Sequence, residues 1–140
     1  MKVLFDTNVI LDDLVKREPF WRPSAQLFSH VESETLLGYV CATTLTTIHY
    51  LAAKTAGRHQ AKELVRKLLR LFDVVPVNRL VLETALTFKG PDFEDAVLIA
   101  SAYHAGMDSL VTRNPRDFKN SSLPIHAPEE LLKILSDAQL

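Results

Sequence analysis

The stretch Met1-Lys2-Val3-Leu4-Phe5-Asp6-Thr7-Asn8-Val9-Ile10-Leu11-Asp12-Asp13-Leu14 carries an apolar run straight into a carboxylate and then into a helical pattern. Val3, Leu4 and Phe5 are continuous apolar residues of the kind found in strands covered on both faces, and such strands belong to parallel sheets. Asp6 stands at the junction. In open parallel sheets, ligands and chemistry collect beyond the carboxyl ends of the strands, so a carboxylate at that place is a site candidate. The plainer account is turn chemistry, with Asn8 capping the helix that begins Val9-Ile10-Leu11. The rest of the chain decides between the two.

The chain has 140 residues, 47% hydrophobic and 24% charged, which suits one globular domain spanning residues 1–140 with a substantial core. Its formal net charge of −1 does not announce a nucleic-acid partner, so contact with one must come from a local basic patch. Cys41 is the only cysteine; it excludes an internal disulfide and falls in an apolar run as a core residue. The amino end reaches an acid after three apolar residues, unlike a signal peptide, and no apolar run approaches membrane-spanning length. A cytoplasmic protein without membrane contact is expected.

Further along, the periodicity predicts a helix from about Pro23 to Val31, with Phe20 and Trp21 at the core edge, and a strand over Leu36 to Cys41. Thr43 and Thr44 are the expected caps of a following helix that turns Ile48, Leu51 and Ala52 inward and ends at Gly57. Arg58 to Phe72 reads as an amphipathic helix with Ala61, Leu64, Val65, Leu68, Leu69 and Phe72 on one face. Its basic residues Arg58, Lys62, Arg66 and Arg70 read as a solvated face. Val74 to Val77 is a short strand and Leu80 to Phe88 a helix, and Gly90-Pro91 breaks the chain. Asp92 then caps a helix running to His104, in which Asp95 shares its side with Leu98, Ile99 and Ala102. Ser109 to Thr112 is another buried strand. A last strand ending at Ile125 and a helix from Pro128 to Ser136 close the chain.

Strands alternating with helices imply a three-layer α/β/α sandwich around a mainly parallel sheet of four to five strands. Asp6, Asn114 and Asp117 then follow strands, and the Asp92/Asp95 helix start lies just before one, so all face one sheet edge. Several carboxylates held together need a counter-charge, and hard oxygen donors with an amide and waters suit Mg²⁺ or Mn²⁺. A cation-activated water attacking a phosphodiester is the chemistry such a site serves, since no nucleophilic Ser, Cys or His set stands beside it. Arg113 and Arg116 flank Asn114 and Asp117 and are the expected contacts for the phosphates of such a substrate, which the resemblance described next makes RNA.

L-F-D-T-N-V-I-L-D at Leu4 to Asp12, D-F-E-D-A at Asp92 to Ala96 and V-T-R-N-P-R-D-F at Val111 to Phe118 together resemble the PIN-domain ribonucleases, particularly the VapC-like toxins. The resemblance covers essentially the whole chain. It implies a PIN-like fold and divalent-metal-dependent hydrolysis of RNA, with a small antitoxin protein as partner, and it is compatible with a homodimer. It matches Asp6 and Asp95 to the principal metal-binding aspartates, Asn114 to a position that is Asp or Asn in the family, and Asp117 and Asp92 to accessory acids. Asn8 falls inside the first motif. One departure stands out: Thr44-Leu45-Thr46-Thr47-Ile48 places Thr47 where the family carries a Glu. A hydroxyl supplies no charge, so the competing expectation is a PIN-like module that binds RNA or protein with weak catalysis or none. A haloacid-dehalogenase-like phosphatase would need an acid at position 8, where this chain has Asn8.

Overall fold

The computed structural model describes every residue except Pro91, Asn120 and Leu140. Five strands, β1 (Lys2–Phe5), β2 (Leu37–Cys41), β3 (Asp73–Val75), β4 (Ser109–Val111) and β5 (Ile125–His126), form one sheet in the order β3-β2-β1-β4-β5, with every pairing parallel. Seven α-helices lie among the described residues: α1 (Thr7–Leu14), α2 (Trp21–Glu32), α3 (Ala42–Ala56), α4 (Arg58–Leu71), α5 (Arg79–Ala85), α6 (Phe93–His104) and α7 (Pro128–Ala138). A short 3-10 helix, Pro115–Phe118, follows β4.

The pleat of β1 explains the layers. Successive side chains of a strand point to opposite faces. Val3 and Phe5 therefore enter one core with Val9, Ile10, Leu27, Phe28, Phe72 and Leu131. Leu4 enters the other, with Val81, Ala85, Leu98, Ala102 and Phe118. Both faces are covered, as the continuous apolar run of β1 requires. None of the described helices is long and apolar enough to cross a membrane.

In the first core Phe5, Phe28 and Phe72 meet edge to face, with ring centroids 5.1 to 6.3 Å apart. Gly38 of β2 makes room for them: a Cβ there would lie 2.8 Å from Phe72 Cδ1 and 2.8 Å from Val31 Cγ2. Gly38→Ala is therefore expected to destabilise the fold by about 1–3 kcal/mol, the usual cost of overpacking. A lower denaturation midpoint with an unchanged slope is the result to look for; an unchanged midpoint would show that the ring cluster yields.

Several local expectations are corrected by tertiary context. Asp6, not Asn8, caps α1, because the helix begins at the residue directly after the strand-end carboxylate. Cys41, not Thr43 or Thr44, occupies the cap position of α3, and no side chain caps that helix. Leu51 and Leu69 are exposed, not inward; in α4 the buried line runs through Ala61 and Leu68, and Leu69 is rotated by one residue away from it. Strand β3 starts one residue and ends two residues earlier than expected and, as an edge strand, leaves Val74 exposed. Phe20 is also exposed. At the expected break, Gly90 adopts φ 105°, whereas Pro91 lies outside the described residues. Helix α6 is as expected, with Asp92 as its cap.

The strand order creates the crevice. From β1 the chain proceeds outward through β2 and β3, then returns to the opposite side of β1 for β4 and β5. The carboxyl ends of β1 and β4 therefore flank a point where the winding direction reverses, the place where open α/β sheets bind ligands.

Candidate functional site

Asp6 stands at that reversal. Its backbone N–H continues the ladder to Val111 O at 2.9 Å, and its side chain turns back over the helix start. The Thr7 N–H donates to Asp6 Oδ1 at 2.7 Å, and Thr112 Oγ1 donates to Asp6 Oδ2 at 2.7 Å. The carboxylate is buried, only 8% exposed, and is held by one donor on each oxygen. Burial pushes its pKa above the ordinary value; the bonds from Thr112 and Thr7 oppose that, and repulsion from Glu94 and Asp117 adds to it.

Asp95 comes to the same place from α6. Asp92 Oδ1 accepts from the Asp95 N–H at 2.8 Å, which places the Asp95 carboxylate at the positive end of the helix. That dipole does not prevail. The Asp95 carboxyl is pushed up to about 7 by burial first, and then by Asp92, Asp6, Asp117 and Glu94. Every charge acting on Asp6 and Asp95 in this way belongs to another carboxylate, so the acids that the sequence placed at one sheet edge are within electrostatic reach of one another.

The loop after β4 completes the edge. Asn114 is exposed, and its N–H donates to Thr112 Oγ1 at 3.1 Å. Asp117 is exposed on the short 3-10 helix, with its N–H on Asn114 O. An open cleft of about 580 Å³ is lined by Arg113, Asn114, Pro115, Arg116 and Asp117. Arg116 is exposed at this cleft. Arg113 is differently placed: its guanidinium is 3.1 Å from Asp12 Oδ1, and its side chain is 23% exposed. Asn8 contributes Oδ1 as acceptor for the Arg113 N–H at 3.3 Å.

Thr47 lies on α3 and is half-buried, one turn beyond Thr44. Thr44 is itself buried, with its hydroxyl 2.9 Å from that of Thr7. Thr47 therefore shares the side of α3 that meets the start of α1.

Three participants are absent from the sequence reading. Thr112, fully buried, orients Asp6; its place at the end of a strand was visible, but its neighbour was not. Glu94 lies within the D-F-E-D motif and raises both Asp6 and Asp95. Asp12 lies within the first motif and is 1% exposed. Burial holds its carboxyl above the ordinary value in spite of the Arg113 and Arg17 guanidiniums.

Among the described residues, no three His, Cys, Asp or Glu side chains stand close enough to form a ready-made cation cage. The donor chemistry still fits a hard divalent cation. Mg²⁺ is commonly held by one or two carboxylates, with waters completing its shell, and Asp6 and Asp95 are carboxylates within electrostatic reach of each other and of Asp117 and Glu94.

A parallel α/β/α domain with buried acids at its winding reversal defines a class, and sequence comparison makes it specific. The family model described as PIN domain matches residues 2–116. The chain belongs to the PIN-domain family. No curated protein matches it. Among solved structures it is similar to FitAcB from Neisseria gonorrhoeae, at 20% identity and a TM-score of 0.71, covering 91% of this chain and 98% of that one. It is similar to a toxin-antitoxin complex from Klebsiella pneumoniae, at 23% identity and a TM-score of 0.68, covering 90% and 97%. It is also similar to VapC20 from Mycobacterium tuberculosis, a Sarcin-Ricin loop cleaving toxin, at 15% identity and a TM-score of 0.62, covering 77% and 86%. At these identities the likeness is one of fold.

Proposed function

We propose that this protein is a divalent-cation-dependent endoribonuclease acting as the toxin of a toxin-antitoxin pair in the cytoplasm. The observation that carries the proposal is the pair Asp6 and Asp95, one buried and one half-buried, both raised by burial and by repulsion from neighbouring acids. Membership of the PIN-domain family supports the nuclease class. The toxin and toxin-antitoxin descriptions of VapC20 and the Klebsiella pneumoniae complex support a small antitoxin partner.

In this reading Asp6 and Asp95 hold Mg²⁺ or Mn²⁺, with Asp92 and Asp117 as accessory acids. Such a cation, when bound, supplies a more acidic water and a counter-charge for the phosphate. Thr7 and Thr112 occupy one lone pair on each Asp6 oxygen and keep the carboxylate from rotating out of the crevice. Asn114 presents an amide that can orient water or a phosphate oxygen, and Arg116 offers an RNA phosphate its charge at the open cleft.

Thr47 favours a second reading, a PIN-like module that binds RNA or protein without efficient cleavage. The deciding experiment incubates the pure chain with single-stranded RNA in Mg²⁺ or Mn²⁺, with and without chelator. Cation-dependent cleavage is expected; binding without cleavage would favour the second reading, and cleavage that survives the chelator would overturn the first. Thr47→Glu in the same assay should lower the cation concentration at half-maximal cleavage, because ligand charge is a main determinant of affinity for hard cations. An unchanged midpoint would place Thr47 beyond the cation's reach.

A further inference from the structure

Asp12 is a carboxylate in the last turn of α1, 1% exposed, and it has no part in the cation chemistry proposed above. Aspartates are almost never buried to that degree unless paired. Its partner is Arg113, at 3.1 Å, with Arg17 more distant at 3.8 Å. Arg113 is gripped from two further sides. Its guanidinium carbon lies 4.4 Å from the centroid of the Phe20 ring, a cation–π contact, and its backbone N–H donates to Asn8 Oδ1.

The neighbours of Arg113 extend the pattern. Thr112 donates to Asp6, and the Asn114 N–H returns to Thr112 Oγ1. The segment leaving β4 is thus tied to α1 and its flanks on one side, while at its start the Thr112 N–H donates to His126 O and at its far end Phe118 is buried in the second core. Asn114 and Asp117 are exposed on this segment. Their positions relative to Asp6 and Asp95 depend on what anchors it.

We infer that Asp12 and Arg113 form a latch that positions the loop carrying Asn114 and Asp117 against Asp6 and Asp95, making both positioning residues for the hydrolysis. The inference rests on the ribonuclease reading for its catalytic half only. It divides the two arginines next to the site: Arg116 meets RNA, and Arg113 is taken up by Asp12 and Phe20. A guanidinium fork is needed for this, since it can pair with a carboxylate in its plane while its face lies on a ring.

The test uses the full chain with Asp12→Asn, which keeps the volume and removes the charge, and Arg113→Lys, which keeps the charge and removes the fork. A third variant, Asp12→Leu with Arg113→Met, replaces the buried pair by apolar groups that commonly preserve the fold. Hydrogen exchange of the cation-free protein is read first. The amides of Arg113, Asn114 and Asp117 should exchange at least about tenfold faster in the variants, with those of α6 unchanged. Under saturating Mn²⁺ and RNA, kcat should fall by about 10–100-fold, the range typical of losing an orienting partner behind a metal ligand. The salt dependence of RNA binding should keep its slope, whereas Arg116→Gln should reduce that slope by about one unit.

Unchanged exchange in all variants overturns the latch, whether or not the wild type cleaves RNA. Faster exchange with an unaltered kcat overturns the positioning role. A raised KM with constant kcat and a reduced salt slope would make Arg113 an RNA contact and also overturn it. If the wild type cleaves nothing with either cation, the ribonuclease reading fails and takes the catalytic half with it, and exchange alone then decides the latch.

Discussion

Asp95→Asn and Asp6→Asn should each abolish cation-dependent RNA cleavage, by more than the about 100-fold that marks the upper range for losing a mere orienting partner. The reason is electrostatic as well as geometric. Asp6 is buried, Asp95 is half-buried and both are repelled by neighbouring acids, so in the proposed site the attraction for a divalent cation would come from their ionised forms. An amide has nearly the same shape and none of the charge. The fold should survive, because Asn at position 6 keeps one acceptor oxygen for the Thr7 N–H while the Thr112 hydroxyl can turn to accept from the amide NH2, and Asp95 makes no capping contact of its own: the cap oxygen belongs to Asp92. Asp95→Asn should even melt higher than the wild type in the absence of cations above about pH 7, since it removes a charge that the folded state disfavours. Single-turnover cleavage and thermal melting of the same preparations check both halves. Activity within tenfold of wild type in either variant would remove that residue from the site.

Cation binding should depend steeply on pH, for the same physical reason. The Asp95 carboxyl is raised from 3.8 to about 7 in the folded chain. The folded state therefore binds more protons than the unfolded state between these values, and stability of the cation-free protein falls as pH rises through that window. A cation reverses the trend. It needs the ionised form, so its affinity should rise about tenfold per unit of pH below about 7, where one proton is displaced, and level off above it. Asp6 is raised in the same direction and steepens the acid side. Calorimetric titration with Mn²⁺ at about pH 5.5 and about pH 8 measures the difference, and proton release on binding confirms its origin. In Asp95→Asn the dependence should flatten. An equal affinity at the two pH values in the wild type would show that Asp95 gives up no proton to the cation.

Much of the architecture was legible in local chemistry. Val3-Leu4-Phe5 behaves as a doubly covered strand because three consecutive apolar side chains cannot all face one side of a sheet, and the two cores divide them as the pleat demands. Asp92 caps α6 and Asp95 shares its buried side because both properties depend on spacing within a few residues. The placement of Asp6 beyond a strand end is of the same kind. Where local rules failed, a neighbour distant in sequence had intervened. Asn8 lost the cap of α1 to Asp6 and instead accepts from Arg113. Thr44 is a buried partner of Thr7, not a cap.

The residue types by themselves determined the alternation of strands and helices, the single sheet edge and the acids gathered there, since these follow from hydrophobic period and turn chemistry acting over short range. The sheet order β3-β2-β1-β4-β5 was decided only by the packing of the whole chain. That order puts Thr112 on Asp6 across 106 positions of sequence and Arg113 on Asp12 across 101. No propensity or spacing reaches so far, because contacts of that separation exist only once both cores have closed on the sheet between them.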